Sequence, residues 1–191
     1  SSTEFGPVTT VAERLEPEAL FADFLAFRTR LGMTILPLTG GDPPFPALVE
    51  AARAGGRGIP LVSDRDLTAQ GVEVTFRGLP ARMAAGPAAL AVSTGAALYP
   101  VSVHYEPVPR VELPGGWRTV VTFHDQVPDP GPAAGPTRAR VTAMTQACAD
   151  VLGRAIAEHT EDWHMMQRVF TADLDPTRRP AGSSDRLGPP E

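Results

Sequence analysis

Short runs of β-branched and apolar residues alternate with longer amphipathic segments along most of this chain. The short runs predict strands, and apolar residues repeated every three or four positions predict helices. Because strands that alternate with helices pack into layers, the sequence predicts an α/β fold with a mostly parallel or mixed central sheet flanked by helices. The predicted strands are residues 8–13, 33–38, 59–64, 72–76, 97–106 and 117–125, and the predicted helices are 17–32, 45–56, 86–95 and 137–159.

Two of the predicted helices carry apolar stripes that are expected to be buried. The stripe of the first helix is Leu20, Phe24, Phe27 and Leu31, with Phe21 and Leu25 beside them. The stripe of the last helix is Val141, Met144, Cys148, Val151, Leu152 and Ile156.

The length of 191 residues suits one sizeable domain. Residues 1–174 are expected to form that domain. Residues 175–191 are rich in Pro, Gly, Ser and Arg, so they are expected to be a disordered tail.

Composition excludes several classes of protein. The net charge of −5 disfavours nucleic-acid binding, and all 17 basic residues are arginine. No apolar run reaches the roughly 20 residues that span a bilayer, and the first residues do not resemble a secretion signal. Cys148 is the only cysteine, so an internal disulfide is impossible, and its apolar position predicts a plain buried thiol.

The predicted strand 59–64 ends in a charged triplet, Asp64, Arg65 and Asp66. In an extended segment the two aspartates point to one face and Arg65 to the other. Two close carboxylates suit the orientation of a histidine or the binding of a polar substrate. A solvated turn with a local ion pair is the ordinary alternative, and the charge pattern alone leaves both open.

Other motifs give weaker signals. The sequence has no phosphate-binding G-x-x-x-x-G-K loop. His159 and His164 lack the spacing of a zinc-binding helix, so no metal site is predicted. His124 and Asp129 form an H-x-x-x-x-D string beyond a late strand, and we interpret this string as a chance match.

Three blocks of the sequence resemble a known family. They are "TTVAERLEPEALFADFLAFRTRLGMTILPLTGG", "IPLVSDRDLTAQGVEVTFRGLPARMAAGPAALAVSTGAALYPV" and "EHTEDWHMMQRVFTADL". In this order they resemble the phosphatidylinositol mannoside acyltransferases of actinobacteria, which are relatives of the late acyltransferases of lipid A biosynthesis in the glycerolipid acyltransferase superfamily. The resemblance extends to about Leu174.

The resemblance implies transfer of a fatty acyl chain from acyl-CoA to a sugar hydroxyl of a phosphatidylinositol mannoside. In the family a histidine of an H-x-x-x-x-D motif is the general base, and an acidic residue orients its imidazole. Asp64 matches that acidic position best, with Asp66 close behind, and Glu13 matches a position in the same pocket. A carboxylate bound to the far ring nitrogen makes the near nitrogen more basic.

The resemblance also implies substrate contacts. Arg28 matches a pocket position where a guanidinium suits a phosphate or the thioester region. Arg65 and Asp66 belong to the same charged triplet, while Gln70 and Ser93 fall near places where the family contacts its acyl donor. The ordinary reading of Glu13 and Arg28 is an exposed surface position.

The resemblance implies acyl-CoA as co-substrate, with no further cofactor, and a phosphoinositide glycolipid as acceptor. It also implies that the protein binds peripherally to a membrane surface, at the cytoplasmic face of the plasma membrane. In the family the H-x-x-x-x-D motif precedes the "TTVAER" strand, before the first residue here. We therefore expect the amino-terminal part of the fold to be missing and this chain alone to be inactive. A non-catalytic lipid or acyl-CoA binding module is the alternative.

Overall fold

A computed structural model describes residues 6–39, 42–64, 66, 71–110 and 115–174. Within these ranges the strands are β1 (Val8–Ala12), β2 (Met33–Pro37), β3 (Val72–Phe76), β4 (Leu79–Met83), β5 (Val101–Pro107) and β6 (Trp117–Phe123). The helices are α1 (Glu18–Arg30), α2 (Phe45–Ala54), α3 (Gly86–Thr94) and α4 (Thr137–Glu158). Short 3-10 turns occur at Pro132–Ala134, Thr160–Asp162 and Thr171–Asp173. The predicted tail, 175–191, lies outside the described residues.

The predicted α/β class with mixed strand pairing is confirmed. In the described ranges β1 and β2 pair in parallel, whereas β3 with β4 and β5 with β6 pair antiparallel, as three two-stranded units. Helix α1 connects β1 to β2, so the three elements form a β-α-β unit.

Residues 59–64, predicted as a strand, form no strand pairing; the one isolated parallel bridge nearby joins Gly58, just before the segment, to Val8. The prediction of a full strand was therefore wrong. Pro60 cannot donate a backbone hydrogen bond, which limits the ladder. Its carbonyl still accepts a bond from the Thr10 hydroxyl at 2.5 Å, so the segment runs alongside β1.

The predicted burial of the α1 stripe is corrected by the structure. Phe21 is buried, but Leu20, Phe27 and Leu31 are 51%, 51% and 49% exposed. Within the described ranges α1 packs mainly on β2, and no element covers the side of the helix that carries these three residues.

The main core lies between the β3–β4 hairpin and α4. Phe76 is fully buried, with the Trp163 ring edge-on at 5.9 Å and the Phe170 ring at 6.4 Å. The hairpin approaches α4 closely because the facing helix positions are small: a Cβ at Gly153 would lie 3.4 Å from the Phe76 ring. The buried members of this cluster are Val74, Phe76, Ala81, Met83, Ala149 and Val169.

Strand β4 was not predicted from the sequence. Pro80 interrupts its apolar pattern, yet the strand pairs with β3 in the register Val72↔Met83 to Phe76↔Leu79. Arg77 and Gly78 connect the two strands with φ angles of 52° and 83°, the left-handed conformation that tight hairpin turns require.

The free edge of β3 is closed by a side chain of α4. The Gln146 side-chain oxygen accepts the Thr75 N–H at 2.8 Å, and its nitrogen donates to the Thr75 carbonyl at 2.9 Å. The same nitrogen donates to the Asp150 carboxylate at 2.8 Å. One amide thus satisfies both backbone groups of Thr75 at this edge.

The β5–β6 hairpin has two different faces. One face carries half-buried polar residues, among them His104, whose ring stacks on His159 at 3.7 Å. The Tyr105 N–H donates to the Asp162 carboxylate at 2.9 Å and fixes the hairpin to the turn after α4. The other face is exposed and apolar, and consists of Val101, Val103, Tyr105, Trp117, Val121 and Phe123.

Replacement of Phe76 by alanine is expected to lower the free energy of unfolding by about 3–5 kcal/mol, because it leaves a cavity between the hairpin and α4. Phe123, which is 73% exposed, supplies the matched control. Phe123→Ala is expected to cost under about 1 kcal/mol. Chemical denaturation followed by circular dichroism measures both, and equal losses would contradict this description of the core.

A second prediction concerns Asp129, which joins the segment before α4 to the helix. Arg140 donates to both carboxylate oxygens of Asp129, and the Gly131 N–H donates at 2.9 Å. The bonds from Arg140 and then from Gly131 hold the pKa of Asp129 below its ordinary value of 3.8. A carboxylate with a lowered pKa stabilises the fold above its ordinary pKa, and the stabilisation is lost as the pH falls.

At pH 7 Asp129→Asn is therefore expected to melt at a lower temperature than the unmodified chain. The difference is expected to shrink as the pH is lowered through 3.8 and beyond. Differential scanning calorimetry at several pH values measures this, with the exposed neighbour Asp125→Asn as control. A difference that stays constant down to the acid limit would rule out this ion pair as its source.

Candidate functional site

Two of the predicted acidic residues leave the β1 region at the same edge. Glu13 follows the last residue of β1 and is exposed, whereas Asp64 is half-buried in a bend. The parallel bridge pairs Val8 with Gly58, so Glu13 and Asp64 lie five and six residues downstream of paired positions. The chain after Gly58 runs parallel to β1 as far as Pro60, so Glu13 and Asp64 each follow the carboxyl end of one of these two neighbouring segments.

The Asp64 carboxylate is available for a ligand or a further residue. No hydrogen bond or ion pair to it occurs among the residues that the structure describes. A half-buried carboxylate in that state can accept hydrogen bonds from an imidazole N–H or from a hydroxyl group.

Asp66 attaches the charged segment to the β3–β4 hairpin. Its backbone N–H donates to the Arg82 carbonyl at 2.7 Å. Gly71 lies against this junction, because a Cβ at that position would lie 2.8 Å from the Asp66 Cβ and 3.1 Å from the Arg82 Cβ. A side chain larger than that of glycine would force these segments apart. Asp64 therefore lies two residues before a backbone position that is bonded to β4.

Arg28 is separated from the edge that carries Glu13 and Asp64. It lies in the last turn of α1, ten residues or about 15 Å of helix beyond Glu18, toward the start of β2. Its guanidinium lies over the Phe24 ring, 4.8 Å from the ring centre. A role for Arg28 in phosphate or thioester binding stays a prediction.

The remaining predicted substrate contacts divide into two groups. Ser93 is exposed in the last turn of α3, and its hydroxyl donates to the Ala89 carbonyl at 2.7 Å within the helix. Arg65 and Gln70 lie outside the described residues.

The H-x-x-x-x-D string at His124 and Asp129 does not form a pair. The His124 Nε2 atom lies 2.9 Å from the Ser102 hydroxyl, while the Asp129 carboxylate is bound to Arg140. This agrees with the interpretation of the string as a chance match. Within the described ranges no group of three or more His, Cys, Asp or Glu side chains could hold a metal ion.

A cleft of about 550 Å³ opens beside the junction of Asp66 with β4. It lies between the open end of the β3–β4 hairpin and the first turns of α4, and it is lined by Arg82 and Arg138. Neither arginine was singled out from the sequence. Arg82 lies on the strand that Pro80 concealed, and Arg138 reads as an ordinary surface position at a helix start.

The Cys148 thiol belongs to the core rather than to a reactive site. It is half-buried and packs against the second buried cluster, formed by α3, Val127 and the first turns of α4. Burial raises the pKa of the Cys148 thiol from 9.0 to about 11. The thiolate, which is the nucleophile, is therefore scarce at neutral pH.

Comparisons with known proteins identify the family of this chain. The family model of the bacterial lipid A biosynthesis acyltransferases matches residues 2–172. Since this match covers most of the chain, the protein belongs to that acyltransferase family. No helix in the described part of the chain has both the length and the apolar character needed to cross a membrane.

Within the family the chain is similar to proteins of mycobacteria. It is 46% identical over 176 residues to the phosphatidylinositol mannoside acyltransferase of Mycolicibacterium smegmatis. The matched region covers 92% of this chain and 52% of that protein. It is also 46% identical over 175 residues to the protein of the same name from Mycobacterium tuberculosis H37Rv, covering 91% and 50% respectively. The chain therefore spans about half the length of the curated relatives it matches.

Cys148 provides a test of the core assignment. At pH 8 a thiol with a pKa of about 11 holds about a thousandfold less thiolate than thiol, so alkylation by iodoacetamide is expected to be slow in the folded chain. In denaturant the rate is expected to rise to that of free cysteine. Mass spectrometry measures both rates, and rapid labelling of the folded chain would contradict the burial of this thiol.

Proposed function

We propose that this chain is part of an acyltransferase that moves a fatty acyl group to a sugar hydroxyl of a phosphatidylinositol mannoside. The observation that carries this proposal is the 46% identity, over 92% of the chain, to a relative of that name. The carboxylates of Glu13 and Asp64 at one edge add a chemical reason, because acyl transfer to a hydroxyl needs a base that is oriented and charge-stabilised.

The proposed donor is acyl-CoA, a co-substrate, with no other cofactor. In the reaction a base removes the proton of the sugar hydroxyl while its oxygen attacks the thioester carbonyl. The tetrahedral intermediate then expels the coenzyme A thiolate, which takes up a proton, and the sugar ester remains. Because the acceptor is a lipid, the reaction is proposed to occur at a membrane surface, peripherally and on the cytoplasmic side.

Asp64 is proposed as the residue that orients the basic histidine. It would accept a hydrogen bond from one imidazole nitrogen and stabilise the imidazolium that forms when the other nitrogen takes the proton. The four histidines of this chain, His104, His124, His159 and His164, lie on β5, after β6 or after α4. The basic histidine is therefore proposed to come from residues outside this sequence.

That placement of the histidines also favours a second candidate, a module that binds acyl-CoA or a lipid without turnover. Two observations separate the candidates. Calorimetric binding of acyl-CoA by the 191-residue chain, with no thioester cleavage, is expected from the module. Acyl transfer by a longer protein that contains this chain is expected from the enzyme.

The test of the enzyme is Asp64→Asn in that longer protein, with a long-chain acyl-CoA and a phosphatidylinositol mannoside as substrates. Loss of the orienting carboxylate is expected to lower kcat by about 100-fold or more with little change in KM. Asp64→Glu, which keeps the charge, is expected to recover part of the rate.

Asp23→Asn, at an exposed position of α1, is the control and is expected to remain within about twofold of the unmodified enzyme. Mass spectrometry of the acylated glycolipid provides the measurement. If Asp64→Asn turned over at the unmodified rate, Asp64 would not be the partner of the base.

A further inference from the structure

We propose that the cleft between the β3–β4 hairpin and α4 binds a phosphate group, with the guanidinium groups of Arg82 and Arg138 as its ligands. The two side chains reach the cleft from different elements, one from the fourth strand and one from the first turn of the long helix. A cavity of about 550 Å³ is large enough for a phosphate together with part of the molecule that carries it.

Charge in the cleft is predominantly positive. Arg82 faces one carboxylate, that of Glu73, at 3.5 Å, and the two side chains are 29% and 75% exposed. A pair this long and this exposed is weak, so it holds the Arg82 guanidinium only loosely. No described residue forms a hydrogen bond or an ion pair with the Arg138 guanidinium.

This positive charge is local. The whole chain carries a net charge of −5, whereas the described residues that line the cleft include two arginines and one carboxylate. Arg138 lies in the first turn of α4, where no acidic residue opposes it, and the partial positive charge of the helix start has the same sign.

The donors fit an oxyanion, and a phosphate has enough oxygens to engage both arginines at once. Two planar guanidinium groups offer forked pairs of N–H donors that match the several oxygens of a phosphate. Thr142 lies four residues beyond Arg138, on the same face of α4, and lines the cleft with a hydroxyl that can donate to a third oxygen. Val72 and Val141 supply apolar wall beside these polar groups.

The cleft is connected to the candidate acid. The backbone carbonyl of Arg82 accepts a hydrogen bond from the Asp66 N–H, and Asp64 lies two residues before Asp66. A molecule held by its phosphate in the cleft could therefore extend toward Asp64. This last step rests on the proposed function, whereas phosphate binding itself does not. Both proposed substrates carry phosphate: acyl-CoA has three phosphate groups, and the glycolipid has one phosphodiester.

Isothermal titration calorimetry on the 191-residue chain tests the proposal with two soluble probes, coenzyme A and glycerophosphoinositol. Pantetheine and inositol, which lack phosphate, are the matched ligands and are expected not to bind. The probe that binds identifies the source of the phosphate, and binding of either supports the cleft as a phosphate site.

Arg82→Gln together with Arg138→Gln is expected to lower the affinity for the bound probe by about tenfold or more. Glu73→Gln removes the competing carboxylate and is expected to raise that affinity, an effect that mere structural damage does not produce. Arg154→Gln, at an exposed position of α4 outside the cleft, is the control and is expected to leave the affinity unchanged.

The proposal would be overturned if neither coenzyme A nor glycerophosphoinositol bound the unmodified chain at millimolar concentration. Unchanged affinity in the double variant would overturn it as well. If the double variant does not fold, as judged by circular dichroism, Arg138→Gln at its exposed helix position replaces it. Asp64→Asn is expected to bind the probes normally, so a loss of turnover in that variant and a loss of phosphate binding are separate results.

Discussion

The packing of Phe76 against α4 is the interaction on which the described structure depends most. The ring fills the space left by small helix residues and is closed in by the rings of Trp163 and Phe170. This contact fixes the β3–β4 hairpin along the helix. It also sets the distance between the open end of the hairpin and the first turns of α4, where the arginine-lined cleft lies.

The same contact has a consequence for the acidic segment. Asp66 is bonded to the backbone of β4, and β4 is held by the core, so the position of Asp64 depends on packing that is remote from it in sequence. The acidic segment is therefore attached at two points: through the bridge of Gly58 to β1 before it, and through the bond of Asp66 to the hairpin at its end. A candidate site held from both sides suits chemistry that needs fixed geometry.

Local pattern was enough to predict most of the elements. The helical period located α4 to within a residue, and alternation located β3, because both signals reside in neighbouring residues. Pro80 concealed β4, since proline is rare within paired strands. The apolar run 59–64 was mistaken for a strand, although the pairing with β1 is limited to a bridge at Gly58, just before the run. The exposed side of α1 could not be foreseen, because periodicity shows which face is apolar but not what covers it.

For the candidate site as well, some residues could be selected from local sequence and others could not. Asp64 was a candidate because of its place at the end of a predicted strand, and only the family resemblance gave it a role, which stays a prediction. Arg82 and Arg138 are 56 residues apart in sequence and meet only through tertiary packing, so no local pattern could have joined them. Arg28 shows the converse: it is close in sequence to the block that carries Glu13, yet the β-α-β topology carries it to the far end of the helix.

The glutamine amide that binds both backbone groups of Thr75 determines the direction in which this fold can be extended. A sheet grows by adding strands at open edges, and Gln146 occupies the edge of β3 as a short mimic of a strand. Within the described residues β2 is the edge that stays open beside the β-α-β unit. At β3, by contrast, an added strand would have to displace Gln146 from the backbone of Thr75.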